Sequence, residues 1–107
     1  MTTPLTLTAG RRADGRSRLA AVGEIDMSNI GALAQALDDT SGPLVLDLTE
    51  VEYLDSAGLS VLFSHADRLE VIASPLLAPV LEISGFTALA TVRGPDRDDS
   101  DDLPARD

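Results

Sequence analysis

The chain of 107 residues contains no cysteine, no tryptophan and no lysine, and aromatic residues make up only 3% of it. Without cysteine it has no disulfide framework, no thiolate metal site and no thiol chemistry. Basic residues are also few, since 18 acidic residues against 8 basic ones give a formal net charge of −10. Because a nucleic-acid surface needs a basic field and stacking aromatic rings, we expect no nucleic-acid partner.

Long hydrophobic runs are missing as well. No stretch approaches the ~18 consecutive apolar residues of a membrane-spanning helix. The segment Met1–Thr8 lacks the basic start, apolar centre and small-residue cleavage site of a secretory signal. With a single histidine, His65, an imidazole-based metal site has no second ligand. We therefore expect a cytoplasmic protein with no membrane partner, no metal and no cofactor.

Aliphatic side chains supply the core that aromatic ones do not. Hydrophobic residues make up 44% of the chain, which is enough for one packed domain of this length. Residues 95–107 differ, because they hold six Asp and only one large apolar residue, Leu103. Such a segment buries too little surface to offset the entropy of ordering it. We expect a folded domain over residues 4–94 and a disordered acidic tail over residues 95–107.

The apolar periodicity predicts an α/β domain with the element order ββαβαβαβ, in which a mixed sheet of about five strands packs against three main helices. The strand in the middle of the chain is nearly all apolar, as in a central strand covered on both faces. Gly85 is expected to end the third helix in the left-handed conformation. The expected strands are Leu5–Ala9, Leu19–Val22, Leu44–Leu48, Leu69–Ala73 and Leu89–Val92; the expected helices begin near Ser28, Ala57 and Ser74, and Thr49–Leu54 is expected to be a loop.

One run, Leu46–Leu59, carries more information than the rest of the chain. A buried strand leads through a loop into Asp-Ser, then into small residues and an amphipathic helix. Ser56 then sits at or just before the helix start, where unpaired backbone N–H groups and the positive end of the helix dipole lie. Ala57 and Gly58 leave its hydroxyl open to contact, and glycine also allows close backbone approach. The same dipeptide is also common where a serine simply caps a helix.

Three features of the sequence resemble the STAS family, the bacterial anti-sigma-factor antagonists and their relatives. The resemblance covers about Leu5 to Val92, which is nearly the whole folded part. The run Asp-Ser-Ala-Gly-Leu in a strand-to-helix setting is the specific signal. The three features are Gly23–Asp26 after the second strand, Leu44–Leu48 leading to Leu54–Leu59, and Ser74-Pro75 with Ile83–Phe86 at the two ends of the third helix.

This resemblance implies a binding protein that is regulated by phosphorylation and is not an enzyme. The unmodified antagonist would bind an anti-sigma factor with Ser/Thr kinase activity and free the sigma factor. Phosphorylation of Ser56 would break the complex, and a Ser/Thr phosphatase would restore it. The implied switch surface consists of Asp26, which corresponds to an acidic residue beside the phosphorylated serine, together with Asp55, Ala57, Gly58 and Leu59.

Other interpretations stay open on the sequence alone. A STAS-like accessory subunit of a transporter or sensor assembly would not need phosphorylation. A hydrolase triad is disfavoured, because His65 lies about 13 Å beyond Ser56 along the same predicted helix. Asp47, in an otherwise apolar strand, is expected near the strand end with hydrogen-bond donors around it. Asp26, Asp47 and Asp55 could also converge on a metal. An arginine cluster on the first hairpin is expected to be solvated, with contact to an acidic patch on a partner as the alternative (Arg11, Arg12, Arg16 and Arg18).

Overall fold

The computed structural model describes residues 4–12 and 14–95. Its strands are β1 (Thr6–Arg11), β2 (Ser17–Ile25), β3 (Leu44–Leu54), β4 (Leu69–Ala73) and β5 (Thr91–Arg93), and its α-helices are α1 (Ile30–Asp38), α2 (Ser56–Ser64) and α3 (Ala78–Ile83). The strands form one sheet in the order β1-β2-β3-β4-β5. The pair β1/β2 is antiparallel and the other three pairs are parallel. The predicted α/β domain with a five-stranded mixed sheet and three helices is confirmed.

The tail predicted over residues 95–107 lies outside the described residues, apart from Pro95. Within residues 4–12 and 14–95, no helix is long and apolar enough to cross a bilayer.

The main core lies on one face of the sheet. Leu44, Leu46 and Leu48 alternate along β3 and are at most 2% exposed. They belong to the same cluster as the buried residues of α1, α2 and α3, including Leu33 and Leu62. The spacing of the apolar residues therefore determines which side of each helix is covered, as predicted.

The opposite face of the sheet is closed by charged side chains. Val45 and Ile72 are only 1% and 2% exposed, although neither belongs to the main core cluster. Each lies in a cross-strand row between two charged residues: Val45 between Arg18 and Glu70, and Ile72 between Asp47 and Arg93. The long arginine stems cover the apolar side chains while their guanidinium groups pair with carboxylates. We call these six residues the charged face.

Arg11 and Arg16 are exposed, as expected for a solvated arginine cluster, but two other arginines of the first hairpin correct that expectation. Arg12 is only 5% exposed, and Arg18 is bonded to Asp47. Glu70 accepts from Arg16 Nη1 at 2.6 Å and from Arg93 Nε at 2.5 Å. Burial raises the pKa of Glu70, but the hydrogen bonds from Arg93 and Arg16 outweigh it and leave the pKa below its ordinary value.

The loop predicted over Thr49–Leu54 is wrong, because β3 continues to Leu54. The second strand was likewise expected to end at Gly23, but β2 continues to Ile25. The pairing of β2 with β3 is irregular near Gly23, whose φ is +109°. This irregularity lets both strands continue beyond the residues at which they were expected to end. The final strand also differs, since a 3₁₀ turn at Phe86–Ala88 precedes β5.

Two helix starts are shifted from their predicted positions. Ser28 does not cap α1; its hydroxyl donates to Asp26 Oδ1, and the cap residue is Asn29. At α3, the Ala78 N–H does donate to the Ser74 carbonyl, as a helical turn from Ser74 requires. Pro79 then has no N–H for the carbonyl of Pro75, so the regular helix begins only at Ala78.

Gly85 has a φ of +90° directly after α3, which confirms the predicted left-handed helix end. Replacing Gly85 with alanine should lower the free energy of unfolding by about 1 kcal/mol, because a Cβ is disfavoured in this conformation. Urea unfolding measures the change. Gly94→Ala is the control, since Gly94 is also exposed but lacks a positive φ. Equal midpoints for the two variants would contradict the prediction.

Candidate functional site

The candidate site lies where β2 and β3 end side by side. The Asp55 N–H donates to the Ile25 carbonyl at 3.2 Å, so the last residue of β2 is held to the residue that follows β3. The next residue of each segment is therefore at the same edge of the sheet: Asp26 opens the turn into α1, and Ser56 opens α2. The sequence-predicted acidic residues and Ser56 are thus brought to one edge.

Asp55, rather than Ser56, is the N-cap of α2. Its Oδ1 accepts from the Gly58 N–H at 3.0 Å, which satisfies one of the free amides of the first turn. Its Oδ2 accepts from the Met27 N–H at 3.1 Å, in the turn that follows β2. One carboxylate therefore bridges the start of α2 and the β2–α1 turn. The alternative interpretation, in which Ser56 is only a helix cap, is wrong.

Ser56 is the first residue of α2 and is exposed. Among the described residues, no hydrogen bond engages its hydroxyl, because Asp55 already provides the cap. Ala57, the next residue, is half-buried. The hydroxyl is therefore accessible to a partner or a modifying enzyme at the positive end of the helix dipole.

The Asp26 carboxylate is fixed within its own turn. Its Oδ1 accepts from the Ser28 hydroxyl at 2.6 Å and from the Ser28 N–H at 2.9 Å. Both bonds lower the pKa of Asp26 below its ordinary value, and the bond from the Ser28 hydroxyl contributes most. Asp26 is therefore anionic at neutral pH. Asn29 closes the same turn, with Oδ1 accepting from the Asp26 N–H and Nδ2 donating to the Glu24 carbonyl.

Two residues that were assigned to the switch surface face the core instead. Gly58 is buried, and a Cβ placed on it would lie 2.4 Å from Leu54 Cδ1 and 2.9 Å from Ile25 Cγ2. Leu59 is partly buried and packs against the main core. The glycine of the Asp-Ser-Ala-Gly-Leu run therefore lets α2 lie close to the strand ends, where a Cβ would collide with buried side chains.

Met27 and Tyr53 were not singled out from the sequence, but both are exposed at this edge. The exposed fractions are 75% for Met27 and 51% for Tyr53. Met27 is tied to Asp55 by its amide, and Tyr53 lies two residues before Asp55 at the end of β3. The run Asp-Met-Ser-Asn after a strand, rich in turn-forming side chains, was the available signal for Met27.

The other candidates have structural roles. His65 ends α2, with Nδ1 3.0 Å from the Val61 carbonyl and Nε2 3.3 Å from Asp38 Oδ1, as expected for a helix-end residue. Asp47 accepts hydrogen bonds from the N–H and the hydroxyl of Thr49, which confirms the prediction that donors surround it. It lies within β3, however, and not near the end of the strand as expected. Nowhere in residues 4–12 and 14–95 do three possible metal ligands cluster.

Comparison with known proteins gives one family match and several structural ones. The family model described as "Mlab, STAS domain" matches residues 8–91. An anti-sigma factor antagonist from Mycobacterium paratuberculosis is 29% identical with a TM-score of 0.78, over 94% of this chain and 95% of that one. No curated protein matches the sequence.

Two further solved structures resemble this chain in fold only. The unphosphorylated form of the anti-sigma factor antagonist SpoIIAA is 14% identical with a TM-score of 0.67, over 91% of this chain and 92% of that one. An uncharacterized DUF3478-family protein from Shewanella loihica, which has a SpoIIAA-like fold, is 14% identical with a TM-score of 0.59, over 94% and 93%.

Proposed function

The chain belongs to the STAS domain family, and we propose that it acts as an anti-sigma-factor antagonist whose binding is switched off by phosphorylation of Ser56. In its unmodified form it binds an anti-sigma factor with Ser/Thr kinase activity, and the sigma factor is freed. Phosphorylated on Ser56, it is released, and a Ser/Thr phosphatase returns it to the binding form. The likeness at 29% identity to the Mycobacterium paratuberculosis antagonist, over almost the full length of both chains, supports the proposal.

The observation that carries the switch is the position of Ser56. Its hydroxyl is exposed at the first position of α2 and is released from capping by Asp55. In the transfer, Ser56 Oγ attacks the γ-phosphorus of ATP while a base of the kinase takes the hydroxyl proton, and the bond from the γ-phosphorus to the bridging oxygen breaks as ADP leaves. The product carries about −1.5 to −2 added charge beside Asp55 and Asp26. Against an acidic partner surface this charge is repelled and must be desolvated, so binding weakens.

Phosphate mapping tests the modification. Incubation of the full chain with its anti-sigma kinase and ATP should add one phosphate, seen by intact mass and assigned to Ser56 by fragmentation. Ser56→Ala should remove it. Ser60→Ala is the matched control, because Ser60 is also exposed and lies one turn further along α2. Phosphate on Thr49, Ser60 or Ser100 with Ser56 unmodified would overturn the proposal.

Binding to the anti-sigma factor tests the consequence. Ser56→Ala should still bind and so act as a permanent antagonist. Ser56→Asp should raise Kd at least tenfold, which is about 1.4 kcal/mol, because a carboxylate supplies part of the charge of a phosphate. Thr87→Asp adds the same charge at an exposed site after α3 and should leave Kd within about twofold. Equal effects of the two aspartates would attribute the loss to net charge and not to the switch surface.

A second candidate is a STAS-like accessory subunit that is not phosphorylated. It is favoured by the matching family model, whose description is "Mlab, STAS domain" and names no antagonist. Affinity purification of the full chain distinguishes the two candidates. A kinase partner with phosphate on Ser56 supports the antagonist, and a transporter ATPase partner with no phosphate supports the accessory subunit.

A further inference from the structure

Both oxygens of one carboxylate are committed at the candidate site. Asp55 Oδ1 accepts from Gly58 N–H and Asp55 Oδ2 accepts from Met27 N–H, at 3.0 and 3.1 Å. The first bond belongs to the helix that carries Ser56, and the second to the turn that carries the exposed Met27. A change in charge at Ser56 therefore acts on a group that also holds another loop in position.

We propose that Asp55 is a positioning residue that couples the charge on Ser56 to the β2–α1 turn: a phosphate on Ser56 displaces the Asp55 carboxylate and so frees the Met27 amide. This inference rests on the proposed function in taking Ser56 as the modified residue. It goes beyond charge repulsion at the contact, because the surface around Met27 changes before any partner is present.

The physical basis is competition between two anions for the same amides. A phosphate on the first residue of a helix is placed by its own covalent bond beside the amides of the first turn, where the helix dipole favours it. The Asp55 carboxylate lies on the adjacent residue, and two negative groups on adjacent residues repel each other. The phosphate carries the larger charge and three strong acceptor oxygens, so it competes for these amides more strongly than the carboxylate does. Asp55 is therefore the group that moves.

Displacement of the Asp55 carboxylate breaks the hydrogen bond of the Met27 amide but leaves those of the Ser28 and Asn29 amides in place. Met27 N–H has Asp55 Oδ2 as its hydrogen-bond acceptor, so its amide loses its bond when the carboxylate leaves. The Ser28 N–H is held by Asp26 instead, and the Asn29 N–H by the Asp26 carbonyl. The turn therefore contains its own internal reference: Met27 should respond and Ser28 should not.

Amide hydrogen exchange by NMR tests this on the full chain, with phosphoserine installed at position 56 during translation. Phosphoserine should speed exchange of the Met27 amide at least tenfold and leave the Ser28 amide within twofold. Asp55→Asn keeps one acceptor oxygen for Gly58 but offers an NH₂ group towards Met27. In that variant the Met27 amide should exchange rapidly without phosphate, and phosphoserine should add little.

The control is Asp26→Asn, which should leave Met27 responsive to phosphoserine because Met27 N–H does not bond Asp26. A Met27 amide that keeps its protection within twofold in the phosphoserine protein overturns the proposal. So does an equal response of Met27 in wild type and in Asp55→Asn. The experiment needs neither kinase nor partner, so its failure is distinct from failure of the anti-sigma function.

Discussion

Replacing Arg18 with methionine is expected to lower the free energy of unfolding by about 2–3 kcal/mol. Asp47 is only 8% exposed, and Arg18 donates to its Oδ2. The methionine stem still covers Val45, so the loss is mainly that of a charged hydrogen bond to a carboxylate that stays buried. Urea unfolding at neutral pH measures it.

A matched control is available on the same hairpin. Arg11→Met removes one positive charge as well, but Arg11 is exposed, so the expected change is within about 0.5 kcal/mol. The double variant Arg18→Met with Asp47→Asn should recover at least half of the loss, because the asparagine keeps an oxygen for Thr49 and carries no unpaired charge. Equal destabilisation by Arg18→Met and Arg11→Met would mean that the charged face contributes little.

The charged face shows why part of the fold could not be predicted from the sequence. The nearly all-apolar run along β3 correctly predicted a central strand covered on both faces, and Leu44, Leu46 and Leu48 meet the helices on one side. The same run predicted that the side holding Val45 is covered as well, but it did not indicate which residues cover it. No local signal says that Arg18 will cover it, because Arg18 and Val45 meet only through parallel pairing of distant segments.

The candidate site, like the fold, was predicted from the sequence only in part. The Asp-Ser-Ala-Gly-Leu run predicted a strand followed by a helix start, and the structure has Ser56 exposed there. The sequence did not say which of Asp55 and Ser56 caps the helix, because both residue types do so. It also missed the bond from Met27 to Asp55, which joins residues 28 positions apart and depends on how the two strands end together.

The last expectation concerns the glycine of this run. Gly58→Ala should lower the free energy of unfolding by about 1–2 kcal/mol. The new Cβ would lie 2.4 Å from Leu54 Cδ1 and 2.9 Å from Ile25 Cγ2, and both side chains are buried. Overpacking costs about 1–3 kcal/mol, and the better helix propensity of alanine offsets up to about 1 kcal/mol of it.

Gly31→Ala separates packing from propensity. Gly31 also lies in the first turn of a helix, α1, but it is exposed and nothing lies within 4 Å of an added Cβ. Alanine there should stabilise the protein, by up to about 1 kcal/mol. Opposite signs for the two substitutions, measured by urea unfolding, would establish that Gly58 is required for contact between α2 and the strand ends. Stabilisation by both substitutions would contradict this prediction and leave Gly58 with the other role expected from the sequence, that of keeping the Ser56 hydroxyl open to contact.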